Sequence, residues 1–235
     1  MTGVITTQTK GEAITPLPNA YKISPTGYGS QNHAKLKCMT FNQQAFNEFI
    51  LTNGIIKTFD EPITLKSGKK SNLYVNWRTA SEDAYLMDQI TDFVLAFASD
   101  HQIQPDTFFG VAEGATKLGV LTQFKYAMRN TAKKGDYTLA MGRAKPKEHG
   151  DPKDRYFVGA PKGTICVLED VTTTGGSLID CIKGLQAMGH TITAAIGLTN
   201  RNETLDGHAN VADAIHELNV PYLEMSSAQE LTAMN

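Results

Sequence analysis

Two adjacent carboxylates, Glu169 and Asp170, are followed at once by Val171-Thr172-Thr173-Thr174-Gly175-Gly176-Ser177. The apolar run Ile165-Cys166-Val167-Leu168 precedes them, and Leu178, Ile179, Ile182, Leu185 and Met188 come after. That later spacing puts the apolar side chains on one helical face, so the glycine- and hydroxyl-rich turn opens a helix. Backbone N–H groups at a helix start point outward, and glycines let the chain approach an anion closely. Threonine and serine hydroxyls add donors. Carboxylates repel a phosphate, so Glu169 and Asp170 suit another part of the ligand: sugar hydroxyls, which donate hydrogen bonds to them. The segment reads as a site for a phosphorylated sugar. The plainer alternative is an ordinary strand-turn-helix with an acidic edge.

A second concentration of chemistry lies between Arg143 and Arg155. It holds five Lys/Arg (143, 145, 147, 153, 155), three acids (148, 151, 154) and His149, with almost no apolar residue. By composition alone it is a solvated surface loop. Beside a sugar-phosphate site it acquires a use. A departing diphosphate develops negative charge, and mobile cations closing over it stabilise that charge.

The stretch from Ile165 to Ser177 resembles the 5-phosphoribosyl 1-diphosphate (PRPP) binding signature of type I phosphoribosyltransferases. The resemblance implies that Glu169 and Asp170 hold the ribose hydroxyls. It implies that Thr172, Thr173, Thr174, Gly175, Gly176 and Ser177 hold the 5′-phosphate. The run Arg143-x-x-x-Lys147-x-His149-Gly150 narrows the family. It resembles the catalytic loop of orotate phosphoribosyltransferases, usually Arg-Lys-x-x-Lys-x-His-Gly, with Ala144 where a second lysine is usual. In that family the loop closes on the active site of the neighbouring subunit. Lys147 and His149 are then implied to contact the diphosphate, with Arg143 assisting. A homodimer sharing the loop 142–157 across its interface is implied with them.

Three further segments support the same resemblance. Thr64 to Asn76 is similar to the family's Leu-Lys-Ser-Gly-x-x-Ser hairpin. Lys66 would reach diphosphate and orotate, and the backbone around Leu73 and Tyr74 would cover the flat pyrimidine. Gly197 to Glu203 is similar to a strand-Asp-Arg-x-Glu segment, with Asn200 replacing the Asp. Its Arg201 would pair with the orotate carboxylate, which an arginine fork matches with two parallel hydrogen bonds. Phe109 to Lys117 falls where the family has its diphosphate-binding loop, with Glu113-Gly114 in place of a common Tyr-Lys.

What the resemblance implies is a glycosyltransferase of pyrimidine synthesis: orotate and PRPP give orotidine 5′-phosphate and diphosphate. Mg²⁺ is the implied cofactor, held through PRPP and waters rather than by a set of side-chain ligands, with Asp170 the candidate side chain beside it. Two alternatives stand beside this. One is a type I phosphoribosyltransferase acting on another base, against which Arg201 and the hairpin speak. The other is a PRPP-sensing regulator without chemistry, which would not need Lys147 and His149.

The elements that must position these residues are legible as alternating runs. Helical spacing of Phe46, Phe49 and Ile50 ends at Asn53-Gly54. A hairpin is expected over Pro62 to Lys66 and Ser71 to Trp77. A helix follows Ser81-Glu82-Asp83, with Met87, Ile90, Val94 and Phe97 on one face. Strands are expected at 107–111, 137–141, 164–168, 192–199 and 221–225. Helices are expected to about Arg129, over 175–189, near 208–218 and over 227–234. Strands alternating with helices predict an α/β fold with a mainly parallel central sheet flanked by helices. The resemblance implies that this is the type I phosphoribosyltransferase fold, with a small N-terminal hood and hairpin. Ligands of open parallel sheets sit at the carboxyl ends of the strands, where Glu113, Glu169, Asp170 and Arg201 all fall.

Composition narrows the setting. The chain has 235 residues, 41% of them hydrophobic, enough for one sizeable domain. Residues 1–40, rich in Thr, Gly, Pro and Ser, read as an irregular extension to a domain over 41–235. The net charge of −2 gives no field to draw nucleic acid or a membrane surface. Cys38, Cys166 and Cys181 have no C-x-x-C spacing, and neither a signal peptide nor a spanning run is evident. A reduced, cytoplasmic setting is expected.

Overall fold

The chain divides into two units, Met1–Lys37 and Cys38–Asn235. The computed structural model describes residues 40–64, 70–143, 145–151, 154–203 and 210–234, all in the second unit. The expected extension, residues 1–40, lies outside the described residues except for its last position.

Helix α1 (Gln43–Thr52) starts at Asn42, whose side chain accepts from the Ala45 N–H at 2.9 Å, and buries Phe46, Phe49 and Ile50. Strands β1 (Ile56–Thr64) and β2 (Lys70–Val75) pair antiparallel. The hairpin is longer than expected, because pairing already begins at Ile56 opposite Val75. Its register shifts between Thr58 and Ile63, around Pro62, which has no N–H to give the ladder. Trp77, expected as the last residue of the second strand, instead opens the short helix α2 (Trp77–Ala80). The Asn76 side chain caps that helix by accepting from the Arg78 N–H at 3.1 Å.

Helix α3 (Ala84–Asp100) begins after Asp83, whose carboxylate accepts from the Leu86 N–H at 2.9 Å. Met87, Ile90, Val94 and Phe97 form its buried stripe. Next come β3 (Thr107–Gly110), α4 (Thr116–Arg129), β4 (Met141–Gly142) and β5 (Phe157–Val158). The strand expected over 137–141 is confined to β4, since pairing begins only at Met141, opposite Val158. The chain continues with β6 (Thr164–Thr172), α5 (Gly176–Ala187), β7 (Thr191–Asn200), α6 (Val211–His216), β8 (Tyr222–Glu224) and α7 (Ala228–Ala233). Among the described residues, no helix is long and apolar enough to cross a membrane.

The central sheet has the order β3-β6-β7-β8, parallel throughout. Strand β6 runs past the expected Leu168 to Thr172, because β7 pairs with it as far as Asn200. Both acids therefore lie within β6, Glu169 opposite Gly197. The register slips once, between Ile165 and Cys166, where Thr193 is the extra residue on β7 and its hydroxyl donates to the Ile165 carbonyl at 3.1 Å. Two apolar layers cover the sheet. Cys166, Leu168, Ala194, Ile196 and Leu198 pack with Phe46, Ile90, Val94, Leu118 and Leu231. Ile165, Val167, Ile192 and Ala195 pack with Leu178, Ile182, Leu185 and Ile215. Helices on both faces are what a buried parallel sheet demands.

Candidate functional site

Because β3, β6 and β7 run parallel, the loops that leave them gather at one edge of the sheet. There the chain opens a cavity of about 490 Å³, lined by residues 74–78, 112–114 and 169–177. The sequence-predicted Glu169, Asp170, Thr172, Thr173, Thr174, Gly175, Gly176 and Ser177 all border it, as does Tyr74.

One end of the cavity is the start of α5. Its N-cap is Gly175, at φ +79°, which has no side chain to bond the first turn. The opening N–H groups of a 12-residue helix are left for a ligand, with the helix dipole favouring an anion. A Cβ on Gly175 would sit 2.8 Å from Val211 Cγ1, so the sharp turn depends on glycine twice. Thr173, Thr174 and Ser177 stand around this turn. Thr172 differs: its hydroxyl is buried and turned toward Gly197 and Tyr222, and its carbonyl accepts from the Arg201 N–H at 2.8 Å.

The middle of the cavity holds the acids. Glu169 is 7% exposed. Burial first, and the neighbouring Asp170 charge second, push its carboxyl up to about 9, so it is a neutral acid at pH 7. Asp170 is half-buried, and its Oδ1 accepts from the Val171 N–H at 2.9 Å. The loop after β3 lies directly against it. A Cβ on Gly114 would fall 2.6 Å from the Asp170 carboxylate, so only glycine permits this approach. The Ala112–Glu113 peptide bond in that loop is cis. Lys117 is no part of the cavity, because its ammonium donates to the Ser81 carbonyl at 2.7 Å.

The remaining wall comes from β2 and α2. Tyr74 is 38% exposed toward the cavity, while Leu73 packs on the core. Trp77 is 2% exposed, stacks on Phe46 with ring centroids 5.8 Å apart, and donates through Nε1 to Thr199 Oγ1 at 3.0 Å. That anchor fixes α2 and sends the next residue, Arg78, to the cavity. Sequence reading missed Arg78, because Trp77 was placed at the end of a strand. The Asn76 cap was the signal that a helical turn begins there.

Among the described residues, the other sequence-predicted ones do not line the cavity. Lys66 lies outside the described residues. Arg201 is 8% exposed in its side chain; its Nη2 contacts Glu203 Oε1 at 3.2 Å and donates to Ser71 Oγ at 3.1 Å. Its Nε is buried without a hydrogen-bond partner among the described residues. Asn200, where an Asp would be usual, donates to Glu224 Oε2 at 2.5 Å and to Asn202 Oδ1 at 2.7 Å. An amide can donate to Glu224, which a carboxylate could not.

The cationic loop rides on the β4–β5 ribbon. Its ladder continues outward through the Arg143 N–H to the Tyr156 carbonyl (2.9 Å) and the Lys147 N–H to the Arg155 carbonyl (2.8 Å). Arg143 also donates through Nε to the carbonyls of Asp154 (2.9 Å) and Phe157 (3.2 Å), clamping the ribbon. It borders a neighbouring cavity of about 410 Å³ with Phe109, Phe157 and Cys181. Lys147 and His149 are exposed, away from the residues that line the main cavity.

No family model matches the chain. It is 27% identical over 197 residues to an orotate phosphoribosyltransferase of Methanopyrus kandleri, covering 83% of this chain and 95% of that one. It is 31% identical over 141 residues to an orotate phosphoribosyltransferase of Methanospirillum hungatei, covering 60% of this chain and 73% of that one. The crystal structure of an orotate phosphoribosyltransferase from Francisella tularensis superposes with a TM-score of 0.62 at 21% identity, over 80% of this chain and 87% of that one.

Proposed function

Because this chain belongs to the orotate phosphoribosyltransferase family, we propose that it transfers the 5-phosphoribosyl group of PRPP to orotate, releasing orotidine 5′-phosphate and diphosphate. Its fold is the type I phosphoribosyltransferase fold. The observation that carries the reading is the cavity itself: an uncapped helix start for the 5′-phosphate, with Asp170 and neutral Glu169 next to it for the ribose hydroxyls.

The reaction breaks the C1–O bond of PRPP through an oxocarbenium-like centre, as in other glycosyl transfers. Orotate's ring nitrogen is already nucleophilic in the anion, so no strong protein base is needed. The protein's work is alignment of two substrates and stabilisation of charge on the departing diphosphate. Among the described residues no three His, Cys, Asp or Glu side chains converge as a metal site. Asp170 and Glu113 border the cavity, which fits Mg²⁺ arriving on the substrate's phosphates with its waters. Bound there, the ion would neutralise phosphate charge.

Lys147 and His149 act on the diphosphate, assisted by Arg143, from a loop that reaches the cavity of a partner subunit. The active species is therefore a homodimer. Arg201 and Lys66 serve the orotate side, under the cover of Tyr74 and Leu73. The catalytic domain spans 41–235, with residues 1–40 appended, and the enzyme works in the cytoplasm.

Loss of orotate absorbance with PRPP and Mg²⁺, run beside adenine, hypoxanthine and uracil, tests the reading. Conversion of orotate alone is expected. Conversion of a purine in preference to orotate would point to another phosphoribosyltransferase. PRPP binding with no turnover of any base would point to a regulator.

A further inference from the structure

The cavity is built for a polyanion, yet its lining is acidic. Glu113, Glu169 and Asp170 border it, and Arg78 is the one cation among the described residues that do. The α5 start accounts for a single phosphate at one end. Asp170 lies in the middle, against Gly114. The leaving group of the reacting carbon must lie beyond that phosphate, against the rest of the lining, residues 74–78 and 112–114. Of these only Arg78 carries a positive charge.

Arg78 is placed for that task. Trp77, locked by Phe46 and Thr199, holds its backbone, as does the Asn76 cap. The Arg78 carbonyl accepts from Ser81 Oγ at 2.9 Å. Its guanidinium, by contrast, has no hydrogen bond or ion pair among the described residues, so its donors are open to a ligand. A planar fork of donors matches phosphate oxygens in pairs.

We propose that Arg78 binds the diphosphate of PRPP from the α2 wall. The proposal rests on the function proposed above. Two ligands separate its parts: PRPP, which carries the diphosphate, and ribose 5-phosphate, which lacks it. Calorimetry of Arg78→Gln with PRPP and Mg²⁺ should show binding at least about tenfold weaker, the loss of a charge-assisted hydrogen-bond pair. Ribose 5-phosphate affinity and the thermal midpoint should stay at wild-type values. Arg78→Lys should recover part of the PRPP affinity. A purely structural arginine would instead lower the thermal midpoint and weaken both ligands alike. Unchanged PRPP affinity in Arg78→Gln, or an equal loss for ribose 5-phosphate, overturns the assignment. Binding is read without turnover, so these outcomes decide Arg78 even if the wild type leaves orotate unconverted, a result that would defeat only the reading of function.

Discussion

Glu169 sits in the ladder of β6 with its proton held to about pH 9, against an ordinary value of 4.5. Between those values the folded chain keeps a proton that the unfolded chain has lost. Stability should therefore fall as pH rises from about 4.5 to about 9, by at most ~1.4 kcal/mol per pH unit from this residue. Glu169→Gln should flatten that part of the profile, as read by urea unfolding at several pH values; an unchanged slope would show that Glu169 ionises freely. Asp170, half-exposed beside it, is the carboxylate proposed to take the sugar hydroxyls. Asp170→Asn should weaken PRPP binding roughly tenfold, the scale of one charge-assisted hydrogen bond, without lowering the thermal midpoint. Unaltered affinity by calorimetry would remove it from the site. Arg201 tests the other substrate. Its carboxylate role predicts that Arg201→Ala raises the orotate KM by ten- to about a hundredfold and the PRPP KM far less. Its contacts to Ser71 and Glu203 predict the opposite if they are its whole purpose, namely an equal effect on both constants with a lowered melting point.

At the scale of elements, the parts of the site that follow from local rules were legible in the sequence, and the parts made by distant pairing were not. Helix α5 and the turn that opens it are encoded by contiguous glycine, hydroxyl and apolar spacing; the helix lies where expected, and the turn is shortened to 173–175 because β6 runs on to Thr172. The extension of β6 through Glu169 and Asp170 depends on β7 being its neighbour, which no local pattern states. The same holds for Gly114, whose need for glycine comes from Asp170, far along the chain. Arg78 was hidden by a strand-like run of side chains that an asparagine cap turns into a helix. The β4–β5 ribbon raises the sharpest element-level prediction. Lys147→Ala should cost roughly a hundredfold or more in kcat, the typical loss of one donor to transition-state charge. Subunits with Lys147→Ala, mixed with Asp170→Asn subunits, should regain activity if the loop serves the partner. One site of each heterodimer then carries both lesions and the other neither, giving up to half the wild-type rate. No recovery after verified subunit exchange would assign the loop to its own cavity.

At the scale of the whole molecule, the two apolar layers and the parallel sheet make a body that owes little to residues 145–151. The exposed loop contributes none of the side chains that form those layers, and the ribbon that carries it pairs through Met141–Val158 and Gly142–Phe157. That has a consequence for proteases. Exposed, polar loop tips are the preferred places of nicking, and Lys147 offers trypsin a peptide bond there, while Lys145 is shielded by Pro146. A cut after Lys147 should leave two fragments that stay together on size-exclusion chromatography and melt as the intact chain does. Transfer to orotate should be lost with the first fragments to appear. PRPP and orotate added together should slow the cut if the loop folds down over a filled cavity, which turns two bands on a gel into a clock for its closing.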